Sequence, residues 1–339
     1  MTQGQHHDRA TLAEVAARAG VSAKTASRAL NGERYVSPTT YSRVLTAAAE
    51  LGFRVNAVAR DLRTQSRGTS VGLLIGDVSN PFYARVARGA ERRLHTQGLR
   101  LITASTEENP GLERSLVEEF LERRVAGIMI VTSADRHDYV ERERLLGTPI
   151  IFIDRAPADI DTDTVVLDNR GGIRAAVDRL TSLGHTRIAL ITYMARLSTS
   201  HERSAAFFDA MAEQGLDGHK YVRDDCYDPK SAASAVRELL SLPEPPTAVI
   251  STNNRITAGV LEAVQVARSR ISTIGFDDFE LADLLGVTVV SHDAEQMGAH
   301  AADLLLARLA GDESTTKHIV VPTALVERPA RGPYGLGPA

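Results

Sequence analysis

The chain has 339 residues, of which 43% are hydrophobic and 24% are charged. This length suits two or three domains of roughly 100–200 residues each, and the composition is ordinary for a soluble globular protein. No apolar run reaches the roughly 18 residues of a membrane helix, and the polar N-terminus lacks the apolar core of a signal peptide. The single cysteine, Cys226, excludes an internal disulfide and any multi-cysteine metal centre. We therefore expect a cytoplasmic protein.

The net charge of −4 is the sum of two opposed parts. Residues 1–68 carry ten basic and five acidic side chains, a charge of +5, so the remainder carries −9. A basic head on an acidic body suggests a nucleic-acid-binding module joined to a second module. On charge alone, a solvated helical domain with a chance excess of arginine explains the head equally well.

The head begins with the signals of two helices joined by a short turn. Residues 11–14 have the pattern of a capping box, and apolar side chains recur at helical spacing up to residue 19. Gly20 predicts a left-handed end to this helix, and Ser22 is placed to cap a second helix over about 23–30. Two helices around a turn with glycine form a helix-turn-helix, whose second helix enters the major groove of DNA.

The geometry of this motif predicts which residues contact DNA. Three residues near the start of the second helix would meet base edges: Ala23, Lys24 and Ser27. Three more are placed for phosphates or for supporting contacts: Ser22, Thr25 and Arg28. A third helix is predicted from Pro38 to Leu51, with Ser37 as its cap. Its apolar stripe would consist of Val44, Leu45, Ala48 and Leu51.

The order of residues from Thr11 to Asn31 resembles the headpiece of the LacI/GalR repressor family. It runs Thr-Leu-x-x-Val-Ala-x-x-Ala-Gly-Val-Ser-x-x-Thr-x-Ser-Arg-x-Leu-Asn, and the match continues to residue 63. The resemblance adds Thr11 and Asn31 to the predicted DNA contacts. It also implies that the protein regulates transcription.

In that family the segment after the headpiece is a hinge helix that forms on operator DNA. It inserts a leucine into the minor groove and kinks the duplex. Leu62 occupies the place of this leucine, and Asn56 and Ala59 also match, so the resemblance implies DNA contacts by all three. Such a wedge costs unstacking energy and gains a bent site with more contacts. A buried core leucine is the alternative for Leu62, although its charged neighbours give it little apolar company.

After a small polar linker near residues 68–70, strand and helix patterns alternate along the chain. Strands are predicted at 71–75, 101–103, 127–131, 150–153, 165–167, 188–191, 248–251 and 271–275. Helices are predicted at 81–95, 112–121, 173–183, 204–212, 231–240 and 257–266. Two such series predict two similar α/β lobes with parallel sheets. The fold class is therefore an all-α helix-turn-helix headpiece joined to a two-lobed α/β domain, which resembles the periplasmic binding proteins.

Ligands of such folds bind at the carboxyl ends of strands, in the crevice between lobes. Carboxylates and arginines there form bidentate hydrogen bonds, and aromatic rings stack on a sugar or base. The resemblance to periplasmic pentose- and hexose-binding proteins selects Asn80, Phe82, Tyr83, Asp154, Arg155, Arg203, Tyr227, Asn253 and Asp277. His292 joins them, at a place where glutamine is commoner.

This set most resembles a ribose-type pocket, so the predicted ligand is a monosaccharide or a nucleoside. For each residue alone, a capping or salt-bridging role is the alternative. The chain also departs from the family pattern, because Asn254-Arg255 replaces the usual Asp-x-Met.

The predicted organisation is a headpiece over 1–54, a hinge helix and linker over 55–67, an effector-binding domain over 68–331 and a tail over 332–339. The N-lobe would comprise about 68–166 and 293–322, and the C-lobe about 167–292 and 323–331. The resemblance implies a repressor that binds a pseudo-palindromic operator in double-stranded DNA as a homodimer. A small-molecule effector would control its affinity, and no membrane is involved.

Two alternatives remain. The first is an enzyme, but the sequence contains no phosphate loop, nucleophile elbow or His-Glu-x-x-His pair, and neither a cofactor nor a metal is predicted. Cys226 has no base partner in the sequence and is predicted to be a small buried hydrophobic residue. The second alternative is a sugar-binding carrier or sensor without DNA binding. The polar N-terminus and the headpiece count against it.

Overall fold

A computed structural model of the protein describes residues 10–31, 35–53 and 68–339. The chain forms two compact units, residues 1–67 and residues 68–339. The predicted hinge contacts lie outside the described residues; they are Asn56, Ala59 and Leu62. No helix formed by the described residues is long and apolar enough to cross a membrane.

The described part of the first unit consists of three helices, and their predicted boundaries are confirmed. They are α1 (Leu12–Ala19), α2 (Ala23–Leu30) and α3 (Pro38–Glu50). The capping box of Thr11 and Glu14 is present, and Gly20 ends α1 with a φ of +63°. The Ser22 hydroxyl accepts the N–H of Thr25, and Ser37 caps α3. These caps satisfy backbone groups that a helix end otherwise leaves without partners.

Small side chains form the core between these helices, which lets the helices approach closely. The core contains Val15, Ala16, Ala19, Ala26, Ala29, Val44, Ala47 and Ala48. The predicted stripe of α3 is wrong at Leu45 and Leu51, which are 41% and 37% exposed. Leu45 lies about 100° around the helix from Val44, and Leu51 follows the last helical residue, so Ala47 takes the inward position.

Within residues 68–339, two six-stranded sheets form two lobes. The first sheet contains β1 (Ser70–Ile75), β2 (Arg100–Ser105), β3 (Ile128–Ile130), β4 (Ile150–Ile153), β5 (Thr164–Leu167) and β11 (His318–Val321). Its strand order is β11-β5-β4-β3-β1-β2, and all its strands are parallel. Its helices are α4 (Pro81–His95), α5 (Pro110–Glu122), α6 (Asp138–Leu145) and α12 (Ala294–Leu309).

The second sheet repeats this plan. It contains β6 (Ile188–Ile191), β7 (Val222–Arg223), β8 (Ala248–Ser251), β9 (Ser272–Phe276), β10 (Thr288–His292) and β12 (Thr323–Val326). Its order is β12-β10-β9-β8-β6-β7, with β12 antiparallel to β10 and the other pairs parallel. Its helices are α7 (Asn169–Ser182), α8 (Ser198–Glu213), α9 (Pro229–Leu240), α10 (Asn254–Ala267) and α11 (Ala282–Leu285), with 3₁₀ turns at His219–Tyr221 and Gly332–Tyr334.

The predicted strands and helices of this unit are present, with ends that shift by a few residues. Three helices were not predicted, α6, the short α11 and α12. Five of the eight residues of α6 are charged, and the helix buries only Val140. The buried face of α12 contains several small residues, including Ala294, Gly298, Ala301 and Ala302, which weakens the apolar period that identifies a surface helix.

The chain passes between the two sheets three times within residues 68–339, after β5, after β10 and between β11 and β12. The first and third passages are hydrogen-bonded to each other. The N–H of Asp168 donates to the carbonyl of Val321 at 3.0 Å, and the Thr323 hydroxyl donates to the carbonyl of Asp168 at 3.0 Å. Short parallel connections of this kind let two lobes rotate as rigid bodies about a hinge.

Helices α4 and α12 pack so closely that glycine is required at their contact. A Cβ atom on Gly298 would lie 1.9 Å from the carbonyl oxygen of Val86. That oxygen belongs to a helix backbone, so it cannot move aside without shifting α4.

We expect Gly298→Ala to lower the free energy of unfolding by about 1–3 kcal/mol, the usual cost of overpacking a core. Gly111→Ala is a matched control in α5, because the nearest atom to its Cβ is a side-chain oxygen of Asn109 at 3.2 Å. Urea unfolding measures both variants. Equal losses in the two would contradict the packing argument.

Candidate functional site

Helix α2 presents a polar, basic face to solvent. Its buried side chains are Ala26 and Ala29, and its sequence contains no acidic residue. Ala23, Lys24 and Arg28 are exposed. A positive helix face without carboxylates suits the phosphate-lined major groove.

The remaining predicted DNA contacts surround this face. The Ser22 and Thr25 hydroxyls are 2.9 Å apart. Thr11 is held by Glu14, which accepts the backbone N–H of Thr11 at 2.7 Å. Asn31 is exposed at the end of α2, and Ser27 is half-buried on the same helix. All eight predicted contacts within the described residues of this unit therefore lie on α2 or at a helix start or end.

In the second unit, a cleft lies between the lobes at the carboxyl ends of the parallel strands. Its lining from the first lobe is Asp77, Asn80, Phe82, Tyr83, Glu108, Asp154 and Arg155. Its lining from the second lobe is Tyr193, Thr199, Ser200, Arg203, Asn253, Arg255 and Asp277. The cavity left between these side chains is only about 40 Å³, so a ligand the size of a sugar ring requires the lobes to open or side chains to move.

Eight of the ten predicted ligand residues line this cleft. Tyr227 does not join them in this structure, because it is 53% exposed and lies outside the lining. Its neighbour Cys226 is buried instead. His292 lies behind the lining, where its Nε2 is 2.9 Å from Asp277.

Six of the described lining residues lie outside the predicted ligand set, either in loops after strands or in the first turn of a helix. They are Asp77, Glu108, Tyr193, Thr199, Ser200 and Arg255. Glu108 follows β2, and Tyr193 follows β6 by two residues. The rule that strand ends line the cleft therefore finds both once it is applied to β2 and β6.

The second-lobe wall is built around Arg203. Its guanidinium lies over the ring of Phe276, 3.8 Å from the ring centre. Its Nε donates to Asn169 at 2.9 Å, and Nη1 donates to the carbonyl of Thr252. The stacking and the two hydrogen bonds hold the arginine in one orientation toward the cleft.

Two buried aspartates of the cleft have pKa values shifted in opposite directions. Burial alone raises the pKa of Asp277, but the hydrogen bond and charge of His292 and the charge of Arg203 outweigh it, so this pKa lies below its ordinary value. Burial raises the pKa of Asp154 above its ordinary value, although Arg155 and Arg203 oppose the rise. Asp277 is therefore favoured as a carboxylate, which only accepts hydrogen bonds.

In the first lobe, Arg155 is enclosed by acceptors. The carboxylate of Glu108 accepts hydrogen bonds from both terminal nitrogens of Arg155. The same nitrogens also donate to the Thr132 carbonyl and the Tyr83 hydroxyl. Burial raises the pKa of Tyr83, and Arg155 lowers it by less, so the phenol remains protonated.

Three groups of hydrogen bonds join the lobes across the cleft. The Asn254 amide donates to Asn80 at 2.9 Å. Arg255 lies 3.0 Å from Asp77 and also contacts the Ser79 hydroxyl. On another side, Arg196 donates to the carbonyls of Ser133 and Glu108. The lobes are thus held in a closed arrangement by this chain's own side chains, including the Asn254-Arg255 pair that departs from the family pattern.

Cys226 is buried as predicted, and burial, with nearby aspartates, raises the pKa of its thiol to about 11. In the part of the chain that the structure describes, no cluster of three or more His, Cys, Asp or Glu side chains could hold a metal ion.

A helix-turn-helix unit and a two-lobed cleft lined for a polar ring define a ligand-responsive DNA-binding regulator. Residues 68–329 match the profile described as periplasmic binding proteins and sugar binding domain of LacI family. Residues 11–56 match the profile of bacterial regulatory proteins, lacI family. The chain belongs to the LacI family of bacterial transcriptional regulators.

Individual relatives agree with this assignment. The ribose operon repressor of Escherichia coli (strain K12) is 31% identical over 329 residues, which are 94% of this chain and 99% of that protein. A complex of the transcriptional regulator CelR with cellobiose has a TM-score of 0.69 at 28% identity, covering 94% of this chain and 99% of that chain. The lac repressor dimer bound to operator and the anti-inducer ONPF has a TM-score of 0.83 at 24% identity, covering 95% and 98%, which supports the fold.

The lowered pKa of Asp277 predicts a pH-dependent contribution to stability. Because this pKa is below that of an unfolded aspartate, about 3.9, the stabilisation is complete above that pH and is lost as the pH falls through the folded value. We expect the difference in unfolding free energy between the wild type and Asp277→Asn to be constant from pH 6 to 5 and to shrink below about pH 4.

Urea unfolding at a series of pH values measures this difference. Asp283→Asn is the control, because it removes a carboxylate that is 78% exposed. A difference for Asp277→Asn that stays constant down to pH 3 would contradict the lowered pKa.

Proposed function

We propose that the chain is a repressor that binds a pseudo-palindromic operator as a homodimer, with an affinity set by a monosaccharide or nucleoside in the cleft. The observation that carries this proposal is the convergence of eight predicted sugar-type side chains on one cleft between hinged lobes. Relatives support it, since they include a ribose operon repressor, a regulator in complex with cellobiose and a lac repressor dimer on its operator. The protein acts in the cytoplasm, where its DNA lies.

On the DNA side, each headpiece of the dimer places α2 in a major groove. Ala23, Lys24 and Ser27 meet base edges. Thr11, Ser22, Thr25, Arg28 and Asn31 contact phosphates or support the helix. The hinge residues Asn56, Ala59 and Leu62 contact DNA, with Leu62 as the wedge in the minor groove.

On the effector side, the cleft offers both an apolar and a polar surface. Phe82 is an aromatic wall for a ring face. Asn253 and Arg203 donate hydrogen bonds, and Asp277 accepts them, which together suit the vicinal hydroxyls of a sugar. No catalytic step is proposed for this cleft. Its polar groups are arranged to bind hydroxyls, and the thiol of Cys226 lies outside the lining with its pKa raised.

Coupling between effector binding and DNA binding follows from the hinge between the two lobes. A ligand that contacts both lobes stabilises one lobe angle over others, and this angle sets the spacing of the two headpieces in the dimer. The coupling free energy is typically about 1–3 kcal/mol and is reciprocal, so operator DNA changes effector affinity by the same factor.

The operator contact of Lys24 is tested by gel shift on the DNA upstream of the protein's own gene. We expect a salt-sensitive shift, and we expect Lys24→Ala to cost about 1–3 kcal/mol in operator binding and to relax the preference at one base pair. Lys230→Ala is the control, since it removes an exposed lysine of the second unit. Equal weakening on all DNA sequences would make Lys24 a phosphate contact. No salt-sensitive shift at all would favour a carrier or an enzyme.

The effector class is tested by thermal shift with pentoses, hexoses and nucleosides, because a ligand stabilises the folded state by mass action. We expect at least one of these compounds to raise the melting temperature of the wild type. Asp277→Ala is expected to abolish this rise, and Tyr227→Ala, a change outside the cleft, is expected to retain it. An Asp277→Ala protein that still responds would refute the assignment of the cleft.

A further inference from the structure

Glu108 is a buried carboxylate inside the cleft that has no place in the predicted ligand set. It is 5% exposed. Its two oxygens accept from Nη1 and Nη2 of Arg155 at 2.5 and 2.8 Å. The second hydrogen on Nη1 goes to the Thr132 carbonyl at 2.9 Å, and that on Nη2 goes to the Tyr83 hydroxyl at 3.1 Å. All four hydrogens on the terminal nitrogens of Arg155 are therefore used within the protein.

The backbone around Glu108 is built to hold its carboxylate in this position. A Cβ atom on Gly76 would lie 2.2 Å from the Oε1 atom of Glu108, so glycine there makes the room that the carboxylate needs. Glu107 and Glu108 have φ values of +50° and +55°, a left-handed conformation that non-glycine residues rarely adopt. Strain of this kind persists where the surrounding structure fixes it, and it concentrates at functional sites.

The charged side chains that line the cleft have a net negative charge. Among the described residues that line it, the carboxylates are Asp77, Glu108, Asp154 and Asp277, and the guanidinium groups are Arg155, Arg203 and Arg255. Arg155 pairs with Glu108, and Arg255 pairs with Asp77. Arg203 forms no ion pair with the described residues, but it lies close enough to Asp154 and Asp277 to interact with both charges. A further anion here would be buried beside these carboxylates, which is costly. A hydroxyl-rich neutral ligand instead finds carboxylate acceptors ready to receive its O–H groups.

From this arrangement we propose that Glu108 determines the charge selectivity of the cleft. By neutralising Arg155 and accepting a hydrogen bond from each of its terminal nitrogens, Glu108 makes the cleft accept uncharged polyols and reject their anionic derivatives. This inference rests on the proposed function, because it refines the class of effector that the same cleft binds.

The test compares affinities within matched pairs of ligands on the full-length protein by isothermal titration. The pairs are D-ribose with D-ribose 5-phosphate, D-glucose with D-glucuronate, D-galactose with D-galacturonate, and uridine with uridine 5′-monophosphate. We expect the wild type to bind the uncharged member of a pair at least ten-fold more tightly. Glu108→Gln keeps the size of the side chain but removes its charge, and we expect it to reduce this ratio at least ten-fold.

Three variants isolate the charge of Glu108. Glu107→Gln is the matched control, because its neighbouring side chain is exposed and has the same backbone conformation. It is expected to leave the ratio unchanged. Glu108→Asp retains the negative charge and is expected to retain the preference, and Glu108→Ala repeats the test if the amide variant fails to fold. A merely structural role would weaken both members of a pair equally and leave the ratio unchanged.

The outcomes separate this inference from the proposal on which it rests. An unchanged ratio in Glu108→Gln or Glu108→Ala overturns the role of Glu108, and so does a wild type that binds both members of a pair equally. A wild type that binds no uncharged compound in these pairs or in the thermal-shift series overturns the proposed function itself.

Discussion

The parallel pairing of strands is the constraint on which the second unit depends. In a parallel sheet every strand delivers its following loop to the same edge, and the helix that returns to the next strand covers a face. Two such sheets therefore present two rows of loops to each other, and the cleft is the space between these rows. Each of these loops joins a buried strand to the helix that covers it. Polar side chains lie there because the loops run along the surface, whereas the strands are buried.

Burial then determines the electrostatics of the cleft. A charged group removed from water needs a partner, so Arg155 is held with Glu108, and Asp277 is held with His292 close to Arg203. Buried pairs of this kind contribute little net stability, since desolvation offsets most of the attraction. Their value lies in orientation, because each fixed group offers a ligand a defined donor or acceptor.

The polar contacts that hold the cleft closed also bear on regulation. Asn254, Arg255 and Arg196 join the lobes with polar contacts that are partly open to solvent, and three short passages of chain connect the two sheets within residues 68–339. Solvated polar contacts are individually weak, so a ligand can change the lobe angle at a modest cost in free energy. Residues 1–68 carry a net charge of +5 and the rest of the chain carries −9, and a negative charge is repelled by the phosphates of DNA.

Much of this protein was predictable from sequence, because the signals involved are local. Thr11 with Glu14, Gly20 and Ser22 act on backbone groups a few residues away, so the helix boundaries of the first unit followed from them. Apolar runs located the strands, and strand ends located most of the cleft. The stripe of α3 was less predictable, because Leu45 and Ala47 are both apolar and only packing against α1 and α2 selects the inward one.

The sequence by itself therefore determined the elements, the family and eight of the ten predicted cleft residues. Only the tertiary structure decided which side chains meet. Glu108 and Arg155 are 47 positions apart, and Asn254 and Asn80 are 174 apart, so no local pattern relates them. Packing also decided that Cys226 is buried while its neighbour Tyr227 is exposed outside the cleft lining. The strands and caps depend on neighbouring residues, whereas the charge balance of the cleft depends on contacts between distant ones.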